Sequence, residues 1–456
     1  MLRRGREDAV GGNVKLDRTL GLWSVVLFGL AYMAPMIVLG TFGTLATASR
    51  GTAAMAYLIA AAAILLTALS YRVMARAHPV AGSAYSYARH AIGPRIGFLV
   101  GWAVLLDYIF LPMVIWLIGA AYLAAAFPGV PRWAWIVGFI VLTSVINIAG
   151  IACANRVNIL LMLGQFAILV AFLALAARYV LVLDGPGGLL AVPPFFTARV
   201  PFSASVAGAA IAAYSFLGFD AVTTLAEETR DARRTMPRAI LIMALGSGVI
   251  FVLSAYLTQL AHPGADFASP DAAGVEIARA IGGDLFAVVF LATLVVAQFT
   301  SGLAAQASVG RLLYAMGRDR VLPPGLFGTL HPRWRTPVAN LLLVGAIGLG
   351  ALAMDVATST SFINFGAFLG FAAVNLSVIA LYLKGGGRLR APGVVAGLIL
   401  PALGALCDVF LLWHLDRHAR LLGLTWLTLG IGWLGWQTRG FRRVPPDMRA
   451  EREYAG

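Results

Sequence analysis

An all-α polytopic membrane protein is the fold class this sequence predicts, and three observations predict it. Of its 456 residues 60% are hydrophobic and only 12% are charged, with a mean hydropathy of +0.86. A soluble domain has no way to bury that much apolar surface. Windows of about 20 mainly apolar residues, the length that crosses a bilayer, recur along the chain. Finally, the basic residues alternate with these windows. If both termini are cytoplasmic, 27 of the 34 Lys and Arg fall in cytoplasmic segments and 7 on the other side. That asymmetry is the positive-inside pattern. It accounts for the net charge of +14 through orientation against anionic lipid, so no nucleic-acid partner is needed.

Twelve spans are expected, near 20–48, 53–75, 96–126, 133–150, 154–183, 203–226, 238–262, 280–306, 337–354, 358–383, 392–414 and 421–437. The first, Leu20 to Ala48, is too long for the apolar part of a cleavable signal and has no clear small-residue cleavage site. The longest connections, about 184–202, 263–279 and 307–336, are too small for a nucleotide-binding domain. No phosphate-binding Gly-x-x-x-x-Gly-Lys-Ser/Thr loop occurs, and Lys15 and Lys384 are the only lysines, which argues against ATP-driven transport. Cys153 and Cys407 are the only cysteines and read as two free thiols in helices, neither a disulfide framework nor a metal cluster. No cofactor or metal is expected. His-Glu-x-x-His and Gly-x-Ser-x-Gly signatures are absent as well, which counts against a membrane-embedded enzyme; a channel is the other reading of that class, and would show gradient-independent, non-saturating flux.

Span 1 contains "FGLAYMAPMIVLGTFG", with Pro35 inside it and Gly29 and Gly40 nearby. Proline removes a backbone donor and clashes with the preceding turn. In lipid the freed carbonyls need partners, so broken backbone survives beside a cavity or buried in protein. A simple proline kink is the alternative. Span 6 has a matching interruption in "YSFLGFDAVTTLAEET", where Gly218 is followed by Asp220. Spans 1 and 6 are five apart, an odd number, so the second half would run inverted. Breaks at corresponding positions of two inverted halves point to a transporter with its site near the midplane.

An ionisable residue inside a span is expensive and is a functional candidate by default. Asp107, in "LLDYIFLPM" of span 3, and Asp220 are the clearest cases. Each can meet a cationic substrate, carry a coupling proton, or be a structural carboxylate satisfied by its neighbours. Tyr32, Tyr108, Tyr214, Phe216 and Phe219 flank these acids. Aromatic faces attract ammonium groups, although aromatic side chains at helical spacing also simply fill core. Glu227 and Glu228 fall at the cytoplasmic edge beside Arg230, Arg233 and Arg234, as an ion-paired helix end or as a gate latch with Arg72 or Arg76. Asp408 of span 11 reads as structural. Gly93, Gly97 and Gly101 form a small-x-x-x-small series that would let span 3 pack closely on a neighbour.

Four segments together resemble the amino acid–polyamine–organocation (APC) superfamily of transporters: "PVAGSAYSYARHAIGP" (79–94), "SFLGFDAVTTLAEETRDARRTMPRAI" (215–240), "RLLYAMGRDRVLP" (311–323) and "HPRWRTPVAN" (331–340). Within it, "GLAYMAPM" (29–36), "GFLVGWAVLLDYIFLPM" (97–113) and "INFGAF" (363–368) are similar to the bacterial putrescine importers. The resemblance implies a five-plus-five inverted-repeat (LeuT-like) core with helices 1 and 6 interrupted. That core would cover 20–383, followed by two additional helices over 384–437, with basic cytoplasmic tails at 1–19 and 438–456. It implies multi-pass insertion in the bacterial inner membrane and alternating access driven by H+ or Na+. The substrate would be a small cation, putrescine or another polyamine, with an amino acid as the alternative, held between spans 1, 3, 6 and 8.

On that pattern Ala31, Tyr32, Met33, Ala34, Asp107, Tyr108, Tyr214, Phe216 and Asp220 would line the substrate site. Asp220 would also take part in coupling or gating, together with Gln165, Thr300, Ser301, Glu227 and Glu228. Two departures matter. Met33-Ala34-Pro35 stands where amino-acid carriers often have a glycine-rich turn whose free amides grip a carboxylate, which fits a diamine better. Gln165 stands where some proton-coupled members carry a lysine, which leaves the ion open; Thr300 and Ser301 would offer hydroxyls to sodium.

Overall fold

Long apolar runs fold as helices because a backbone in lipid has to satisfy its polar groups within its own segment. The structure is a computed structural model that describes residues 20–79, 83–149, 154–318, 322–331, 334, 336–385, 393–443 and 445. In chain order its helices are α1 (Leu22–Met33), α2 (Ile37–Gly40), α3 (Phe42–Ala48), α4 (Ala53–Ala77), α5 (Ser83–Ala91), α6 (Pro94–Ala126), α7 (Arg132–Ala149), α8 (Ala154–Gly188), α9 (Phe202–Ala212), α10 (Ala232–Ala261), α11 (Ala273–Arg318), α12 (Pro324–Phe327), α13 (Val338–Gly348), α14 (Val356–Leu383), α15 (Leu400–Trp413) and α16 (Arg417–Gln437). Short 3-10 turns occupy Ala213–Phe216, Ala221–Glu228, Pro270–Ala272 and Leu349–Ala353. An isolated parallel bridge joins Leu20 to Thr229.

Nine helical stretches among the described residues are long and apolar enough to cross a membrane, and Val338–Ala353 is a shorter apolar one. Several ends fall close to those expected from hydropathy: Ala53–Ala77 against 53–75, and Arg132–Ala149 against 133–150. Two features depart from the expectation. The connection after span 2 holds a nine-residue helix, α5, too short and polar to read as a span. It buries Ala84, Tyr87, Ala88 and Ala91 along one stripe, the arrangement of a helix lying against a core. In α11, helix begins at Ala273 and continues to Arg318 past a non-helical Gly283 (φ 77°), where polar connections flanking 280–306 were expected.

Helix packing follows the small residues. A side-chain carbon on Gly97 would lie 2.6 Å from Cβ of Arg89, and one on Gly101 would lie 2.7 Å from Tyr85. So the glycine series of span 3 docks α5 onto α6. Gly93 has open space instead and caps the start of α6. Similarly, Gly366 sets α14 against α6, where a side-chain carbon would fall 2.4 Å from the Ala103 carbonyl and 3.2 Å from the Asp107 nitrogen. At the far side of α6, Trp102 and Trp426 stack at 5.0 Å. Each indole donates to the other's backbone carbonyl, at 2.9 and 2.8 Å, which pins α16 to α6.

Candidate functional site

The site starts from the two helix breaks. α1 ends at Met33, and Ala34 takes a left-handed backbone (φ 47°) before Pro35. The Ala34 amide donates back to the Leu30 carbonyl at 3.1 Å, and the Ile37 amide turns to the Ala34 carbonyl at 2.8 Å. The helical partners of nearby carbonyls are thereby lost, and side chains from other helices replace them. The Ser301 hydroxyl of α11 donates to the Tyr32 carbonyl at 3.2 Å. The Tyr122 hydroxyl of α6 reaches the Leu39 and Gly40 carbonyls at 3.0 and 3.2 Å.

The second break follows α9. A 3-10 turn over Ala213–Phe216 gives way to extended Leu217 and then Gly218 at φ 118°. Asn364 of α14 donates to the Ala210 carbonyl at 2.7 Å, and Tyr57 of α4 shares a 2.9 Å hydrogen bond with Ser215. The breaks touch: a side-chain carbon on Gly218 would sit 2.5 Å from the Tyr32 ring and 3.1 Å from Met33. Only glycine allows that approach in that backbone region. The two breaks form one feature.

Asp220 follows directly and is buried. Its carboxylate lies against the backbone N–H groups of Gly218, Asp220 and Ala221, with the Ser83 hydroxyl nearby. Asp107 of α6 is also buried and within Coulombic reach of Asp220. Its Oδ1 has no hydrogen-bond partner among the described residues, and the same holds for the Tyr108 hydroxyl. Tyr32 and Tyr108 each feel both acids, and Tyr214 feels Asp107. Pro112, inside α6, cannot donate to the Tyr108 carbonyl four residues back, which leaves a further acceptor one residue from Asp107. No Lys or Arg is fully buried among the described residues. The buried ionisable groups here are therefore acids and tyrosines.

Beside this cluster, Tyr32, Met33, Ala34, Tyr214, Ser301 and Gln298 surround a cavity of about 10 Å³, room for roughly one water. So the structure brings together Tyr32, Met33, Ala34, Tyr214 and Ser301 around the cavity, with Asp107, Tyr108 and Asp220 alongside. Phe216 is placed apart, fully buried edge-on against Phe251 of α10 at 5.0 Å. Phe219 packs on Tyr71 and Phe371 at 5.5 and 5.2 Å. Thr300 also points elsewhere: its hydroxyl bonds the Val296 and Ala297 carbonyls of its own helix. Gln165 is buried on α8 with its Oε1 unpartnered among the described residues. The side chains of Ala31, Glu227 and Glu228, and Cys153 altogether, lie outside the described residues.

Asp408 is fully buried in α15 and accepts from Thr67 at 3.0 Å and Asn375 at 2.9 Å, a carboxylate held by its neighbours. Cys407 is a half-exposed free thiol. Sequence reasoning missed Gln298, Tyr71 and Ser83. For Gln298 the signal was available: an amide in the apolar run "LATLVVAQFTSG", one helical turn from Ser301.

A membrane-crossing helical fold whose two broken helices meet at a small buried cavity lined by Tyr32 and Tyr214, beside two buried acids, is an arrangement that suits a membrane transporter. The amino acid permease family matches residues 24–390, and the chain belongs to that family. The low-affinity putrescine importer PlaP of Escherichia coli strain K12 is 39% identical over 437 residues, 95% of this chain and 96% of that protein. The branched-chain amino acid permease BcaP of Bacillus subtilis strain 168 is 26% identical over 450 residues, 93% of each chain. The methylthioribose transporter of the same organism is 25% identical over 442 residues, 91% of each. The resemblance drawn from the quoted segments therefore holds, and the chain is a transporter and not an enzyme.

Proposed function

We propose that this chain imports putrescine or a related small polyamine as a secondary active transporter, by alternating access driven by an H+ or Na+ gradient. The carrying observation is the pairing of Asp107 and Asp220, two buried carboxylates within Coulombic reach, with no fully buried Lys or Arg among the described residues. Buried charge is costly unless paired, and a dicationic substrate supplies the missing partners. Tyr32, Tyr108 and Tyr214 would enclose its methylene chain, with rings that also attract ammonium groups. The putrescine importer among the relatives supports the same substrate class.

This reading includes twelve spans in a five-plus-five inverted repeat with two added helices, inserted in a bacterial inner membrane with both termini cytoplasmic. The 27-to-7 distribution of Lys and Arg supports the orientation. Buried Gln165 and Ser301 are the candidate coupling residues, and Glu227 and Glu228 the candidate inner-edge gate.

The second reading is an amino-acid permease, which the branched-chain relative favours. The backbone at the breaks argues against it. The Ala34 amide is spent on Leu30, Pro35 has none, and the amides of span 6 face the protein's own Asp220 carboxylate. A substrate carboxylate would meet a carboxylate there. The deciding experiment is uptake of labelled putrescine into proteoliposomes under separately imposed pH and sodium gradients, with neutral amino acids as competitors. Saturable putrescine uptake that follows one gradient supports the importer. Uptake of a neutral amino acid with no entry or displacement of putrescine refutes it.

A further inference from the structure

Helices α4 and α10 pack side by side. A side-chain carbon on Gly248 would lie 3.5 Å from Cβ of Ala61. Arg76 comes 15 residues after Ala61, and Arg233 comes 15 residues before Gly248. Both arginines are therefore about 22 Å along their helices from that contact. Where the two helices end together, Arg76, Asp231, Arg233 and Arg234 line an open cavity of about 500 Å³. The pair thus runs antiparallel, with the cavity at the end of the molecule proposed to face the cytoplasm.

This cavity holds more positive charge than its own residues neutralise. Arg234 Nε lies 3.6 Å from Asp231 Oδ2. Arg76 and Arg233 have no ion-pair partner among the described residues. Three guanidinium groups face one carboxylate, an excess of two positive charges. Guanidinium groups present paired donors that match the oxygens of a phosphate.

The outer face of α10 selects the kind of phosphate. Arg234, Arg238, Ile242, Leu245, Val249 and Leu253 recur every three or four residues, the spacing of one helix face. The four apolar members are all exposed, Val249 most of all at 68%. They belong to a helix long and apolar enough to cross a membrane. From Ile242 to Leu253 the stripe runs about 16 Å. Charge gives way to exposed hydrocarbon along a single line, as it does from the headgroup to the chains of a phospholipid. A soluble phosphate compound would leave that stripe unused.

We infer that this cavity binds an anionic phospholipid. Arg76 and Arg233 hold its phosphate, and one acyl chain lies along Ile242, Leu245, Val249 and Leu253. A basic pocket between membrane helices at the cytoplasmic side suits a lipid headgroup. Occupancy ties the end of α4 to the start of α10, and a ligand held only by the folded state stabilises it.

The test is thermal unfolding of the full chain in detergent, titrated with phosphatidylglycerol, with phosphatidylethanolamine of the same acyl chains, or with inorganic phosphate. Phosphatidylglycerol is expected to raise the midpoint saturably, and the other two to leave it at the lipid-free value. In the double variant Arg76→Gln, Arg233→Gln the phosphatidylglycerol concentration that gives half the rise increases about 25-fold, roughly fivefold for each arginine. In Arg311→Gln, Arg442→Gln, which removes two exposed arginines outside the cavity, it stays unchanged. An equal rise with phosphatidylethanolamine shows that headgroup charge is not read and overturns the inference. An equal rise with inorganic phosphate also overturns it, because the cavity is then a soluble-anion site. So does an unchanged half-point in the Arg76, Arg233 variant, or an equal shift in both double variants, which makes the effect one of general surface charge. If that double variant does not fold, Arg76→Gln alone decides, with a fivefold increase expected and no increase refuting the site. No transport is measured, so the importer reading stands or falls separately.

Discussion

At the scale of single residues, Gly218 decides whether the two breaks can meet. Its φ of 118° and the 2.5 Å that would separate a side-chain carbon from the Tyr32 ring oppose any other residue. Gly218→Ala combines backbone strain with overpacking and should cost about 2 kcal/mol or more. Thermal unfolding in detergent checks this; an unchanged midpoint would mean that the breaks are not in contact. Asp220 makes a functional prediction instead. Asp220→Asn keeps the shape and removes the charge that the proposed ammonium would meet. Putrescine uptake should fall to background with the protein still present in the membrane at its normal level. Normal transport by that variant would remove Asp220 from the site. Ser301→Ala belongs to the structural group, because it strips the Tyr32 carbonyl of its donor. It should cost about 1–3 kcal/mol, the desolvation penalty of a buried unsatisfied group.

At the scale of elements, α4 and α5 meet outside the membrane-spanning stretch through two stacked imidazoles. His78, just after α4, lies 5.1 Å from His90 of α5, whose Nδ1 bonds the Ser86 carbonyl at 2.8 Å. Burial, followed by the charges of His90 and Arg233, holds the His78 imidazole below its ordinary pKa of 6.5. The folded state thus prefers the neutral ring, and the unfolded chain takes up its proton at higher pH. The resulting stability is fully present above about pH 6.5 and is lost as pH falls below it. A thermal midpoint that drops between pH 7.5 and 5.5, with a shallower drop in His78→Gln, is the expected outcome. Equal slopes in both proteins would exclude His78 as the sensor. Much at this scale was legible in the sequence. Pro35 and Gly218 marked the breaks, because a missing donor and a left-handed backbone have local causes. The limits of Ala53–Ala77 and Arg132–Ala149 followed from hydropathy, whereas those of α11 did not. The helix at Ser83–Ala91 was not legible, because its stripe is short and its burial depends on Gly97 and Gly101 of the next helix. Gln298 was missed for a related reason: an amide within an apolar run reads as a packing group until its unpartnered atoms are seen facing a cavity. Phe216 and Thr300 carried the right residue types for a site, but their direction is set by partners far along the chain or by their own helix turn.

At the scale of the whole molecule, a cavity of about 10 Å³ is too small for a diamine, so the proposed transport needs the helices around the breaks to separate. One closure is visible. The start of span 1 and the end of span 6 are tied by the Leu20–Thr229 bridge and by the Arg230 amide donating to the Leu20 carbonyl at 2.9 Å. Both ties lie at the end of the molecule proposed to face the cytoplasm, so opening inward has to break them. Cysteines at Leu20 and Thr229 are expected to lie within the separation a disulfide accepts, about 4.4–6.8 Å between Cα atoms, because the two residues are bridged as neighbouring strands are. With Cys153 and Cys407 first replaced by Ser, the Leu20→Cys, Thr229→Cys variant should lose putrescine uptake on oxidation and recover it on reduction. Each single-cysteine variant should be indifferent to both treatments. The prediction concerns the direction of a motion and not the identity of the substrate, so any transported cation will serve as the probe. Full uptake by a quantitatively cross-linked protein would show that this end stays shut throughout the cycle, and that substrate leaves by another path.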